Sequence, residues 1–140
     1  MTDDMIARLA NPTALAAWEL AEAGAPADDM SGTQHNLAVA QALGQLRIDH
    51  DGERCTGFVA FIRLSPAQLL NVVRRQVRLF SVEDNTPGGA VCFLMEQVNV
   101  AGRAALQQRM RWLSAQPGVE VLAGWRGARL RCHRVRYGIQ

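Results

Sequence analysis

The chain contains no lysine: all fifteen of its basic residues are arginine. It has a single tyrosine, Tyr137, and only three cysteines, Cys55, Cys92 and Cys132. Three scattered thiols do not make the even, clustered framework of a small secreted domain built on disulfides. No pair has C-x-x-C spacing, and the nearest histidines, His50 and His133, complete no zinc pattern, so no metal site is expected. Each Cys falls in a predicted strand, where it reads as a small buried hydrophobe. Long apolar runs are also missing. None approaches the roughly 20 residues that span a bilayer, and the acidic start MTDDMIARLA lacks the apolar centre of a secretory signal. A cytoplasmic protein with no membrane span is the expectation. With one Tyr and no Lys, basic and aromatic residues do not interleave, so nucleic acid is a minor candidate partner.

What is present is ordinary globular composition, 49% hydrophobic and 20% charged over 140 residues. That suits one domain with one core. A single domain over residues 1–140 is expected, its first 32 residues supplying a helix and an acidic loop. The charge is lopsided: residues 1–53 hold nine acids against two Arg, and residues 101–140 hold eight Arg against Glu120 alone. Two readings stay open. Arginine suits bidentate recognition of phosphate or carboxylate; equally, the two halves attract each other within the fold.

Periodicity predicts the order α-α-β-β-α-β-α-β-β, a mixed α+β fold with five to six strands and helices on both faces. Asn11-Pro12 opens a helix that ends at Gly24. Residues 28–32 read as an acidic loop, and Thr33 as the cap of a second helix ending at Gly44. Gln45 to Asp49 and Cys55 to Leu64 flank an Asp51-Gly52 hairpin turn. Ser65-Pro66 starts a helix reaching about Val77 that buries Leu69, Leu70 and Val73. The run 83–89, EDNTPGG, is a loop in which Glu83 and Asp84 serve solubility. Ala90 to Val100 is a central strand covered on both faces. A helix follows from Gly102 to about Ala115, then strands from Val119 to Trp125 and Arg129 to Tyr137. The last places Arg129, Arg131 and His133 on one face and needs a bulge near His133-Arg134 to bring Val135 and Tyr137 into step.

The sharpest chemical feature is the turn Val98-Asn99-Val100-Ala101-Gly102-Arg103-Ala104. A central strand ends there and a helix begins, aiming unsatisfied backbone N–H groups outward as a generic anion site. Gly102 lets a diphosphate approach the backbone, and Arg103 adds a phosphate contact; the plainer alternative is a helix that simply starts at Gly102. Glu96, on the same strand, reads as the partner of an Arg from a neighbouring element in an ion pair, for example Arg63. The run Arg126, Arg129, Arg131, His133, Arg134, Arg136 suits phosphates, or guards an edge strand against pairing.

These residues resemble the acyl-CoA-binding element of the GNAT acyltransferase superfamily, whose loop reads Gln/Arg-x-x-Gly-x-Gly/Ala. Asn99 replaces the Gln/Arg, while Gly102 and Ala104 fit. The order of elements around the loop is also similar. More narrowly, Gly57 to Leu113 resembles the RTX toxin-activating lysine acyltransferases. The matching features are Val59-Ala60 before Leu64-Ser65, the loop 83–86, Phe93-Leu94, and Ala105-Leu106 before Met110-Arg111, with Trp18 in the first helix. The resemblance implies transfer of an acyl group from acyl-CoA or acyl-carrier protein to a protein lysine or another amine. Val98, Asn99, Val100, Gly102, Arg103 and Ala104 would hold the donor. The toxin activators keep an Asp where Gly102 stands and a His near Gly24 to Pro26, where there is none; His35 is the nearest histidine. Many members of the superfamily use a Glu on the central strand as general base. Glu96 lies on such a strand, where partial burial would raise its carboxyl toward the useful range. The resemblance thus makes Glu96 and His35 the candidate catalytic residues. A non-catalytic accessory or structural protein of a phage, mobile element or assembly is the alternative. A homodimer or a partner protein is expected under either reading.

Overall fold

The computed structural model describes residues 11–24, 30–52 and 54–135. Helix α1 (Pro12–Ala23) begins where the Asn11 side chain accepts hydrogen bonds from the Thr13 and Ala14 amides, and it ends at left-handed Gly24. Helix α2 spans Met30–Leu43. It starts earlier than Thr33, whose hydroxyl lies inside the helix and donates to Glu19 of α1 at 3.3 Å. Residues 28 and 29 of the expected acidic loop lie outside the described residues.

Five strands follow: β1 (Leu46–Asp51), β2 (Arg54–Leu64), β3 (Val91–Asn99), β4 (Val121–Arg126) and β5 (Arg129–Arg134). Between β2 and β3 come helix α3 (Pro66–Arg75) and a single 3-10 turn (Val82–Asp84); helix α4 (Arg103–Ser114) joins β3 to β4. The element order is the one the periodicity predicts, a mixed α+β fold. Spatial order equals chain order, β1-β2-β3-β4-β5. All neighbours are antiparallel except β3 and β4, which run parallel because a helix carries the chain back between them.

Alternation along β2 sorts the core into two layers. Phe58, Ala60, Ile62 and Leu64 face α1, α2 and α3, together with Leu15, Leu37, Val72 and Phe80. Val59 and Phe61 face the other way, onto Leu113 of α4, with Cys92, Val119 and Leu122. Strand β3 is central and buried on both faces at Val91, Cys92 and Phe93.

Three local expectations are corrected. Helix α3 stops at Arg75, where Gln76 takes a left-handed conformation (φ 50°). It buries Val72 and packs Leu69 against the same cluster, while Leu70 and Val73, each one position further round the helix, are 50% and 38% exposed. Strand β5 has an unbroken register from Arg129 to Arg134 and no bulge. Val135 simply faces the α4 layer, opposite Leu130, and Tyr137 lies outside the described residues. The loop after the 3-10 turn is tied down rather than solvated: Asn85 accepts from the Arg63 amide and from Gln45, and the Thr86 amide bonds the Arg63 carbonyl. Asp84 bonds the Ser81 amide at 2.8 Å, leaving Glu83 exposed.

Candidate functional site: a gap between two parallel strands

Strands β3 and β4 pair over four residues only, Val91 to Leu94 against Val121 to Gly124. Both continue, β3 along β2 to Asn99 and β4 along β5 to Arg126, but they have no further partners in each other. The cause lies on the other side of β3. Ala60 pairs with Glu96 and Phe61 with Leu94, so Met95 is an extra residue, a bulge that bends and twists the strand away from β4. Gly124 marks the last paired position, where a Cβ would sit 3.3 Å from the Leu94 carbonyl oxygen.

The gap opens on the α4 layer into a groove of about 1640 Å³. Helix α4 packs on both β3 and β4, with Leu113 in one cluster with Cys92 and Leu122, and β4 passes to β5 through a tight turn at Gly127. Leu94, Met110, Leu122 and Val135 supply an apolar floor. Arg111, Arg126, Arg131 and Arg134 line the same groove, and among the described residues no carboxylate does.

The predicted turn stands at the end of β3. Gly102, the N-cap of α4, has φ 90° and ψ 179°, which glycine alone adopts without strain. Open space surrounds its Cα, so the glycine is there for conformation and not for a crowded approach. No side chain caps α4, and Gly102, Arg103 and Ala104 are exposed. Asn99 donates from Nδ2 to the Gly102 carbonyl at 2.9 Å. Val98 and Val100 direct their side chains into the layer of α1 and α2, so only their backbone faces this site.

Glu96 lies on the opposite layer. Its Oε2 accepts from Asn36 Nδ2 at 3.3 Å. Asn36, 2% exposed, also donates to the Arg78 carbonyl and accepts from the Phe80 amide. The neighbouring His35 donates from Nε2 to the Phe80 carbonyl. On the β4 side, Trp125 Nε1 donates to the Val77 carbonyl at 2.7 Å, and the Arg78 guanidinium stacks on that indole and bonds the Gly127 carbonyl. Residues 77–80 thus form a strap from β4 to β3, with Phe80 packed on Phe93. Glu96 and His35 meet the same strap, through Asn36 and directly. The suggested pairing of Glu96 with Arg63 is not found: Arg63 faces the α4 layer and donates to the Gly89 and Pro117 carbonyls.

Two buried polar residues went unforeseen. Asn36 follows the core-facing Thr33 and precedes Leu37 and Ala40 on the buried stripe of α2. Arg109, fully buried on α4, donates from Nε to Asp49 of β1 at 2.7 Å and from Nη1 toward the Val98 carbonyl and Asn99 Oδ1. Its position between Leu106 and Leu113, on an otherwise apolar stripe, is the trace it leaves in the sequence. Asp49 also accepts from Arg47. Burial pushes the Asp49 carboxyl up, but the hydrogen bonds and charges of Arg47 and Arg109 together hold it below its ordinary value.

The thiols divide. Cys55 and Cys92 are buried, and burial pushes the Cys92 thiol up to about 12. Cys132 is exposed, contrary to the reading of all three as core residues, because β5 is an edge strand. Among the described residues no cluster of His, Cys, Asp and Glu could hold a metal ion, and no helix is long and apolar enough to cross a membrane. No protein-family model matches the chain, and no curated protein matches it.

Proposed function

We propose that this chain is an N-acyltransferase on the GNAT plan, moving an acyl group from acyl-CoA or an acyl-carrier thioester to a protein lysine or another amine. The observation that carries the reading is the divergence of β3 and β4 at the Met95 bulge, opening onto an arginine-lined groove. Parallel strands joined through α4 and parted halfway leave one edge of β3 without a strand partner. An extended, amide-bearing arm such as phosphopantetheine adds to such an edge as a strand would. Its phosphates then reach the uncapped amides of Gly102 to Ala104, with Arg103 beside them.

The chemistry follows from where the two layers meet. The donor enters from the α4 layer, and its thioester carbonyl stands in the gap. The amine comes from the layer of α2, where Glu96 accepts its proton. Nitrogen attacks the carbonyl carbon and the electron pair moves onto oxygen, which strand amides stabilise. The attack forms the C–N bond; collapse of the adduct re-forms the carbonyl as an amide, breaks the C–S bond and releases a thiolate, which takes a proton from solvent. His35, engaged with the strap, has no part in this sequence.

The test is a split between binding and turnover. Glu96→Gln should bind acyl-CoA as the unmodified protein does and lose about 10²-fold or more in transfer rate to an amine. Equal rates for the two proteins would remove Glu96 from the mechanism. A second reading, a non-catalytic protein of the same fold, is favoured by the hold of Asn36 on Glu96 and by glycine at position 102. It expects no transfer by either protein to any amine.

A further inference from the structure

The anion end of the proposed donor site, on which this inference rests, is a helix start with no side-chain cap. The Gly102 carbonyl receives two hydrogen bonds, from Leu106 N–H at 3.3 Å as the first bond of α4 and from Asn99 Nδ2 at 2.9 Å. The other end of the Asn99 amide, Oδ1, accepts from Arg109 Nη1 at 3.4 Å. A guanidinium only donates, so Asn99 must turn its oxygen to Arg109 and its NH2 to Gly102. Asp49 fixes the guanidinium from β1, and the missing side chain of Gly57 makes room for it.

Arg109 is an expensive way to fill an apolar stripe. Its Nη2 is buried with no hydrogen-bond partner. A buried ion pair with an unmet donor stabilises a fold less well than an aliphatic side chain of similar size. Its geometry is what an aliphatic residue would lack. We infer that Arg109 is a positioning residue for the donor site: through Asn99 it locks the Gly102 carbonyl back into α4, and so fixes the peptide groups that open the helix at the end of β3. Asn99 is then the pin of the turn and not itself a ligand of the donor.

The test uses three variants of the whole chain, Asn99→Asp, Asn99→Ala and Arg109→Lys, with coenzyme A as the probe. Asn99→Asp keeps an acceptor for Arg109 but cannot donate to Gly102. Asn99→Ala removes the pin without adding charge, and Arg109→Lys keeps a cation for Asp49 but loses the reach to Asn99. Each should melt within a few degrees of the unmodified protein. In each, NMR should show Leu106 amide exchange in the ligand-free protein accelerated several-fold. Calorimetry should show coenzyme A affinity reduced by about tenfold, the worth of one well-placed hydrogen bond. Should Arg109→Lys fail to fold, the two Asn99 variants decide. Unchanged Leu106 exchange in both overturns the clamp, whatever the affinity. Faster exchange with unchanged coenzyme A affinity overturns its link to the donor. If the unmodified protein binds no coenzyme A, the donor reading fails and the positioning role falls with it, while the exchange data still report on the clamp.

Discussion

Arg109 fills the space that a side chain at position 57 would need: a Cβ on Gly57 would stand 2.9 Å from the guanidinium carbon and 2.6 Å from the Val98 carbonyl oxygen. Gly57 pairs with Asn99 across β2 and β3, so the absent side chain and the buried cation meet where β3 gives way to the α4 turn. Gly57→Ala should therefore cost at least about 1–3 kcal/mol, the usual penalty of overpacking. Urea unfolding measures it, and a variant as stable as the unmodified protein would show that Arg109 can move aside freely.

The pair between Asp49 and Arg109 gives stability a dependence on acid. Because the folded-state value of Asp49 lies below its ordinary 3.8, its contribution is complete well above that value and is lost as pH falls through the lower, folded-state value. Asp49→Asn should be clearly less stable than the unmodified protein at pH 7, with the difference shrinking below about pH 4. Denaturant titrations at several pH values check this. A difference independent of pH from 7 to 2 would mean that the charge of Asp49 contributes nothing.

Asn36 ties three elements together, α2, the strap and Glu96 on β3. Asn36→Leu leaves the Phe80 N–H and the Arg78 carbonyl without that partner, at a cost of about 1–3 kcal/mol for each group that stays buried. Hydrogen exchange should show the Phe80 amide losing protection while the amides of β2 keep theirs. Equal protection at Phe80 before and after the substitution would contradict the strap.

Thiol labelling reads the sheet directly. At pH 8 iodoacetamide should modify Cys132 on its exposed edge strand, and leave Cys55 and Cys92 untouched until the protein unfolds. Peptide mass spectrometry separates the three sites. Rapid labelling of Cys92 in the native protein would contradict a central, doubly covered β3.

The order of elements was legible in the sequence because caps and breakers punctuate it. Asn11, Gly24, Ser65-Pro66 and Asp51-Gly52 each mark a boundary that the structure keeps within a few residues. The turn at Gly102 was legible for the same reason. The gap was not, since a bulge at Met95 depends on how two neighbouring strands accommodate each other, and nothing local to Met95 announces it. In a parallel pair, moreover, the chain after α4 returns to the start of β3. Val121 and Leu122 therefore lie beside Val91 and Cys92, and the pairing ends at Leu94 and Gly124. Arg109 and Asn36 escaped notice because polar residues on apolar stripes are read as interruptions until their partners, distant in sequence, are known. The exposed Leu70 and Val73 erred in the opposite sense, since helical spacing alone does not show where the covering ends.

The central claim is that the parted strands β3 and β4 receive an acyl thioester. Isothermal titration calorimetry of the full chain with acetyl-CoA and with longer acyl-CoAs tests it most directly. The account predicts saturable binding at one site per chain, weakened by salt because arginines line the groove. No heat of binding with any of these donors at millimolar concentration would contradict it.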